Sequence, residues 1–164
     1  AEITCPFTGE RLVAVPALAP DVALLHAPAA DRYGNLYLDQ PYVLDERFAS
    51  AARAVVATAD EIVSPEEIAA VGITIPGHLV AAVTEVPFGA HPASCYPRYA
   101  YDRDHLREYV AAAQAGPDGA DKYLASYVHG TGTEEGYREA VGAARLGALT
   151  AWSQTIAGWK ELFA

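Results

Sequence analysis

Five histidines (His26, His78, His91, His105 and His129) and two cysteines (Cys5 and Cys95) are the residues best suited to hold a metal or move a proton. None stands in an HExxH, HxH or Cys/His spacing that would bring two ligands onto one local surface, so no metal is expected. Two cysteines ninety positions apart suggest neither a disulfide framework nor a zinc knuckle. Cys95 has no histidine at a spacing that would activate its thiol, and a reduced, cytoplasmic protein is the expectation. Phosphate loops of the form GxGxxG or GxxxxGK[ST] are absent. His129-Gly130-Thr131-Gly132-Thr133 resembles half of one, but it lies between two helical segments and is expected to end one helix and cap the next.

His26 ends the apolar run Val22–His26, just before Pro28. In open α/β sheets the carboxyl ends of strands line the ligand crevice, so His26 could face a ligand; the plain alternative is a hydrogen-bonded core histidine. Glu85 ends another apolar run, Val80–Val86. A carboxylate there needs partners or a shifted pKa. It could be a nucleophile, a base or an orienter of the next loop, or simply an acceptor of backbone N–H groups or an Arg partner. Asp31 and Asn35 flank a turn that Asx-type hydrogen bonds would shape. Four of the ten tyrosines fall between Tyr96 and Tyr109, where they could frame a groove or pack on the surface.

Charge narrows the function classes. The net charge is −10, with 11 Lys+Arg against 21 Asp+Glu. The densest basic group, Arg98/Arg103/Arg107, is interleaved with Asp102, Asp104 and Glu108, so no nucleic-acid surface is expected. No apolar run reaches the roughly 18 residues of a membrane span, and no basic-then-apolar leader is in view. With 164 residues, 52% apolar and 20% charged, the chain fits one folded domain.

The elements that position these residues follow from short apolar runs. Strands are expected over residues 11–15, 22–26, 36–38, 54–58, 72–75 and 80–86, the 22–26 run being continuous enough for burial on both faces. A short helix capped by Asp45 is expected through Phe48, Ala49 and Ala52. Ser64-Pro65-Glu66-Glu67 is a capping box with Pro at the first helical position. Pro87–Pro97 can be neither a central strand nor a helix. Leu106, Tyr109, Val110 and Ala113 mark a helix face, and Tyr123, Leu124, Tyr127 and Val128 a second. A third helix enters at Thr133. Leu146, Leu149, Trp152, Ile156, Trp159 and Leu162 suggest a terminal one. The result is an α/β fold, a mainly parallel sheet followed by covering helices. Connections such as Pro16–Asp21 are too short for a parallel crossover, so antiparallel pairs or strands outside this chain are also expected.

Several ordered motifs resemble a known family. Phe7-Thr8-Gly9-Glu10, Leu12–Leu18 and Pro20–Ala23 are similar to the second half of the alpha subunit of glutaconate CoA-transferase-like enzymes. Ala30-Asp31-Arg32-Tyr33-Gly34-Asn35 resembles that family's A-D-x-x-G-N turn. Thr74-Ile75-Pro76-Gly77 and Glu85-Val86-Pro87-Phe88-Gly89-Ala90-His91-Pro92 are the most specific matches. The resemblance spans about residues 5–142. It implies a NagB/RpiA/CoA-transferase-like fold, with residues 1–142 as the C-terminal portion of an alpha-subunit domain and 143–164 as a terminal helix. It also implies coenzyme A as a substrate, a beta-type partner subunit, and the missing N-terminal half of the alpha subunit. The implied reaction moves CoA between an acyl-CoA and a carboxylic acid through a glutamyl-CoA thioester. The nucleophilic Glu of the family usually lies on the beta subunit, so no residue here inherits it. Glu85, His91, Asp31 and Asn35 are then expected to shape the subunit interface or the acyl end of the site. Two alternatives stay open: a ring-opening CoA-thioester hydrolase of the same family, and a non-catalytic binding domain on the same fold. The lack of Met and the start beside a strand-like stretch agree with a later portion of a longer subunit.

Overall fold

The computed structural model describes residues 1–39 and 44–151. The fold is α/β. Its centre is a parallel sheet of β3 (Val22–Ala27), β6 (Ala54–Ala59) and β8 (Val80–Glu85), in the order β3-β6-β8. Each strand is an apolar run stopped by a residue that cannot continue it comfortably: Pro28, Asp60 and Pro87. Helix α1 (Asp45–Ala51) lies between β3 and β6 in the chain, and α2 (Pro65–Val71) between β6 and β8. These supply the long returns that parallel pairing requires. The α2 capping box forms as the sequence predicts: Ser64 Oγ accepts from Glu67 N at 3.2 Å, and Glu67 Oε2 accepts from Ser64 N at 2.9 Å. Asp45 does not cap α1. The cap is Leu44, and Asp45 and Glu46 occupy the first turn, where acidic groups complement the positive end of the helix dipole.

Pro28 breaks the chain out of the first sheet into a second, with order β5-β4-β7: β4 (Ala29–Asp31), β5 (Leu36–Tyr37) and β7 (Ile62–Val63). Residues 11–15 give only β2 (Arg11–Val13), an antiparallel hairpin with β1 (Glu2–Thr4). The single mainly parallel sheet predicted from the sequence is therefore three small sheets among the described residues, one of them wholly parallel. The predicted strand at 72–75 is also absent. Gly72 ends α2 at φ +106, and only Ile75 makes an isolated bridge, to Leu36.

The core packs Ala23, Leu25, Ala27, Val55, Ala57 and Ala59 of the parallel sheet against Ala49, Leu36, Leu38 and Ile75. The alternate residues face the other way. Val22, Leu24 and Val56 are 50%, 78% and 38% exposed. The expected burial of β3 on both faces therefore does not hold within the described residues: α1 and the second sheet cover one side only.

The second half is helical: α3 (Arg103–Gln114), α4 (Pro117–Leu124), a π-helical turn over Ala125–His129, and α5 (Glu134–Val141). Residues 143–151 are again helical; the predicted terminal helix beyond them lies outside the described residues. Thr133 caps α5, its Oγ1 accepting from Gly136 N at 3.0 Å, and the Gly130–Gly132 link joins two helices as expected. The predicted apolar face of α3 is inverted, since Leu106, Tyr109 and Val110 are exposed while His105 is buried. No helix among the described residues is long and apolar enough to cross a membrane.

Candidate active site

Three strand ends meet at the carboxyl edge of the parallel sheet. There His26 of β3 is held by Thr58 and Asp60 at the end of β6. His26 Nδ1 lies 2.8 Å from Thr58 Oγ1, and Nε2 lies 3.3 Å from Asp60 Oδ2. Asp60 Oδ1 accepts from Phe88 N at 2.6 Å, which ties the proline loop to this edge. Phe88 takes a positive φ of 61°, and Gly89 comes so close to His26 that a Cβ there would lie 2.8 Å from Cε1. Cys95 is buried beside them; burial first, and then Asp60, push its thiol far up, so it is no nucleophile in this setting. A cavity of about 180 Å³ opens here, lined in part by His26, Leu38, Asp39, Asp45, Ser94 and Cys95. Thr58 and Asp60 were not singled out by the sequence. The signal existed, because Asp60 follows an apolar run just as Pro28 and Glu85 mark the ends of theirs.

Among the sequence-predicted residues, His26 is the one that lines this cavity. Glu85 is exposed, and its Oε2 accepts from Ile62 N at 2.9 Å, joining the end of β8 to β7. Asp31 is fully buried. Its Oδ1 accepts from Tyr33 N at 2.8 Å and Asn35 N at 3.0 Å, and its Oδ2 from Asn35 Nδ2 at 2.7 Å. Asn35 Oδ1 in turn accepts from Gly77 N at 2.9 Å. The approach is so close that a Cβ on Gly77 would lie 2.2 Å from the Tyr33 carbonyl oxygen. The A-D-x-x-G-N turn and the T-I-P-G segment are thus one hydrogen-bonded unit.

His91 belongs to a different cluster, where the proline loop meets the helices. Its Nδ1 is 2.7 Å from Tyr137 OH and its Nε2 3.1 Å from Asp102 Oδ2. Asp102 caps α3 through His105 N at 2.8 Å and receives Arg145 through both carboxylate oxygens. Burial opposes its ionisation, but bonds from Arg145, the His105 N–H and His91 hold the carboxyl well below the usual range. Burial lowers the pKa of both His91 and His105, which favours neutral rings, and pushes Tyr137 up to about 12. Tyr127 and Tyr123 ring His105, with centroids at 4.5 and 5.6 Å. The tyrosine grouping that packs is therefore Tyr109, Tyr123, Tyr127 and Tyr137, rather than the run between Tyr96 and Tyr109. No local pattern could have nominated Arg145, because its partner lies 43 positions away.

Comparison with known proteins agrees with this arrangement. The sequence profile described as Coenzyme A transferase matches residues 2–86. One of the two kinds of glutaconate CoA-transferase chain from Acidaminococcus fermentans, the alpha-type one, is 36% identical over 140 residues, covering 84% of this chain and 43% of that relative. An IpdA subunit of the cholesterol ring-cleaving hydrolase of Mycobacterium tuberculosis is 32% identical over 138 residues, covering 80% of this chain and 46% of that protein. The crystal structure of glutaconate coenzyme A-transferase from A. fermentans superposes with a TM-score of 0.84 at 35% identity, over 91% of this chain and 48% of that one. The chain spans less than half the length of these relatives. With the profile covering more than half of its residues and the fold shared with a member of known structure, the chain belongs to the coenzyme A transferase family.

Proposed function

We propose that this chain is the C-terminal portion of an alpha-type subunit of a CoA-transferase, which moves coenzyme A between an acyl-CoA and a carboxylic acid. The observation that carries this is the close superposition on glutaconate coenzyme A-transferase at 35% identity. Residues 1–142 form the domain portion in this reading, with the terminal helix over 143–164. The nucleophile is a glutamate of a beta-type partner. Its carboxylate attacks the thioester to give an acyl-glutamyl anhydride; the released CoA thiolate attacks that anhydride and frees the donor acid. The acceptor acid then takes CoA from the glutamyl thioester. A carboxylate is a weak nucleophile, so it must be positioned and partly desolvated. Backbone N–H groups must stabilise the oxyanions, and binding of the remote nucleotide lowers the barrier at the thioester.

The residues here serve that chemistry by building its surroundings. His26 stands beside the cavity at the acyl end. Glu85, His91, Asp31 and Asn35 fix the loops that shape this edge and the subunit interface. Glu85 is committed to the Ile62 N–H and does not take the nucleophile's place. The missing N-terminal half of the alpha subunit covers Val22, Leu24 and Val56, since a parallel sheet is normally covered on both faces. A CoA-linked substrate fits a cytoplasmic location.

The test is to co-express the complete subunit with its beta partner and assay exchange between acyl-CoA and free acids. CoA transfer with a covalent CoA adduct on a partner glutamate supports the proposal. Identity to the ring-cleaving hydrolase subunit favours a second reading, in which water rather than a second carboxylate accepts the acyl group. Thioester cleavage without exchange selects it. Neither exchange nor cleavage over a broad acyl-CoA panel overturns both and leaves a binding domain.

A further inference from the structure

The sequence offers no metal motif, yet the fold assembles one donor set that spacing alone hides. The ligating atoms of His26, Asp60 and Cys95 all lie within 4.8 Å of one another. They come from β3, the end of β6 and the proline loop. Thiolate, imidazole and carboxylate together suit a zinc-class ion, whereas magnesium and calcium take oxygen ligands.

The surroundings hold each donor in a ligating pose. His26 Nδ1 is occupied by Thr58 Oγ1, which leaves Nε2 toward Asp60. Asp60 uses Oδ1 for the Phe88 N–H and turns Oδ2 toward His26. Outer partners of this kind fix the orientation of metal ligands. Gly89 leaves just enough space for the imidazole. The adjoining cavity of about 180 Å³ has room for several waters at roughly 30 Å³ each, enough to fill an open coordination position. Asp39 and Asp45 on its wall add negative charge. The nearby cation, Arg98, is bound to Glu61 at 2.5 Å and to the Pro28 carbonyl at 3.2 Å.

A second donor cluster, His91, Asp102 and His105, lacks this opening. Arg145 occupies both oxygens of Asp102 and places a positive charge where an ion would sit.

We propose that His26 Nε2, Asp60 Oδ2 and Cys95 Sγ bind one zinc-class divalent ion, with solvent from the cavity completing the coordination. On binding, the Cys95 S–H bond breaks, a metal–sulfur bond forms, and the proton leaves to buffer. The thiolate and carboxylate together balance the two positive charges. The ion stabilises a thiolate that the apolar surroundings otherwise disfavour. The site stands on the geometry of this chain and holds whichever acyl-transfer reading applies.

The test is cobalt(II) titration of the full chain after chelator treatment. One cobalt per chain is expected, with a near-ultraviolet thiolate-to-cobalt band that zinc abolishes. The band is expected to disappear in Cys95→Ser and to persist in Cys5→Ser. Asp60→Asn, which keeps the thiol, is expected to weaken cobalt binding by about tenfold or more. Circular dichroism of each metal-free variant separates ligand loss from unfolding. No band in the natural sequence overturns the proposal. So does a band that survives Cys95→Ser, or undiminished affinity in a folded Asp60→Asn.

Discussion

Asp102 receives the Arg145 guanidinium through both oxygens, Nε to Oδ2 at 2.5 Å and Nη2 to Oδ1 at 3.0 Å, across 43 positions of sequence. The same carboxylate caps α3 and meets His91, so one residue binds the proline loop, α3 and the helix over 143–151 together. Arg145→Ala removes both forks and leaves a buried carboxylate short of its counter-charge. Urea unfolding should then show a loss of about 3 kcal/mol. Arg145→Lys should recover only part, because an ammonium cannot supply the paired geometry. A loss under about 0.5 kcal/mol for Arg145→Ala would deny the pair its structural weight.

The buried histidines give the fold a pH dependence. His91 and His105 have folded-state pKa values below the ordinary 6.5, burial being the first cause for both. Below about pH 6.5 the unfolded chain therefore binds protons that the folded chain refuses, and stability falls as pH drops through that window. Arg145, beside both rings, adds to the shift; Asp102 and, for His105, Glu108 oppose it. The depressed carboxyl of Asp102 stabilises above its unfolded value of about 3.8 and loses that contribution as pH falls below it. Both effects lower stability toward acid, in separate windows. Chemical denaturation from pH 7.5 to 5 should show the first, with a smaller slope in His105→Gln. A flat profile would contradict neutral buried rings.

Asp31 and Gly77 test the turn unit. Asp31→Ala strips the acceptor from two backbone N–H groups and the Asn35 amide, at an expected cost of about 3 kcal/mol. Gly77→Ala places a methyl 2.2 Å from the Tyr33 carbonyl and should destabilise by a similar amount. Thermal unfolding reads both. A neutral Gly77→Ala would mean that the two segments do not pack this closely.

The two thiols should differ in reactivity. Side-chain and backbone hydrogen bonds around Thr8 lower the pKa of Cys5, whereas burial and Asp60 raise that of Cys95. Iodoacetamide with mass spectrometry should therefore label Cys5 well before Cys95 in the native chain, and both alike in denaturant. Equal native rates would contradict the buried position of Cys95.

Leu24 tests the open sheet face. Leu24→Asp replaces a side chain that is 78% exposed, so the stability of this chain should change by less than about 0.5 kcal/mol. Assembly with the rest of the complete subunit should weaken at least about tenfold, since a carboxylate would be buried without a partner. Co-purification of the two parts, with and without the change, measures this. Unchanged assembly would leave the face without its proposed cover.

Local signals in the sequence were legible wherever one segment contained its own cause. The Ser64–Glu67 capping box, the Thr133 cap, the runs that became β3, β6 and β8, and the proline loop all followed from neighbouring residues. The ordered motifs around Asp31, Gly77 and Glu85 carried the family. Side-chain faces were less legible. A stripe such as Leu106, Tyr109 and Val110 marks a helix, but which side is buried depends on what packs there, and His105 took that place. Periodicity likewise could not say that β3 would be covered on one face only.

What the sequence determined by itself was the set of strands, caps and turns and the family to which they belong, because short-range sterics and hydrogen bonding act within a few residues. Which groups meet was decided only by the tertiary structure. His26 finds Asp60, and Asp102 finds Arg145, because parallel crossovers and packed helices bring together residues tens of positions apart, and a linear pattern carries no record of that closure.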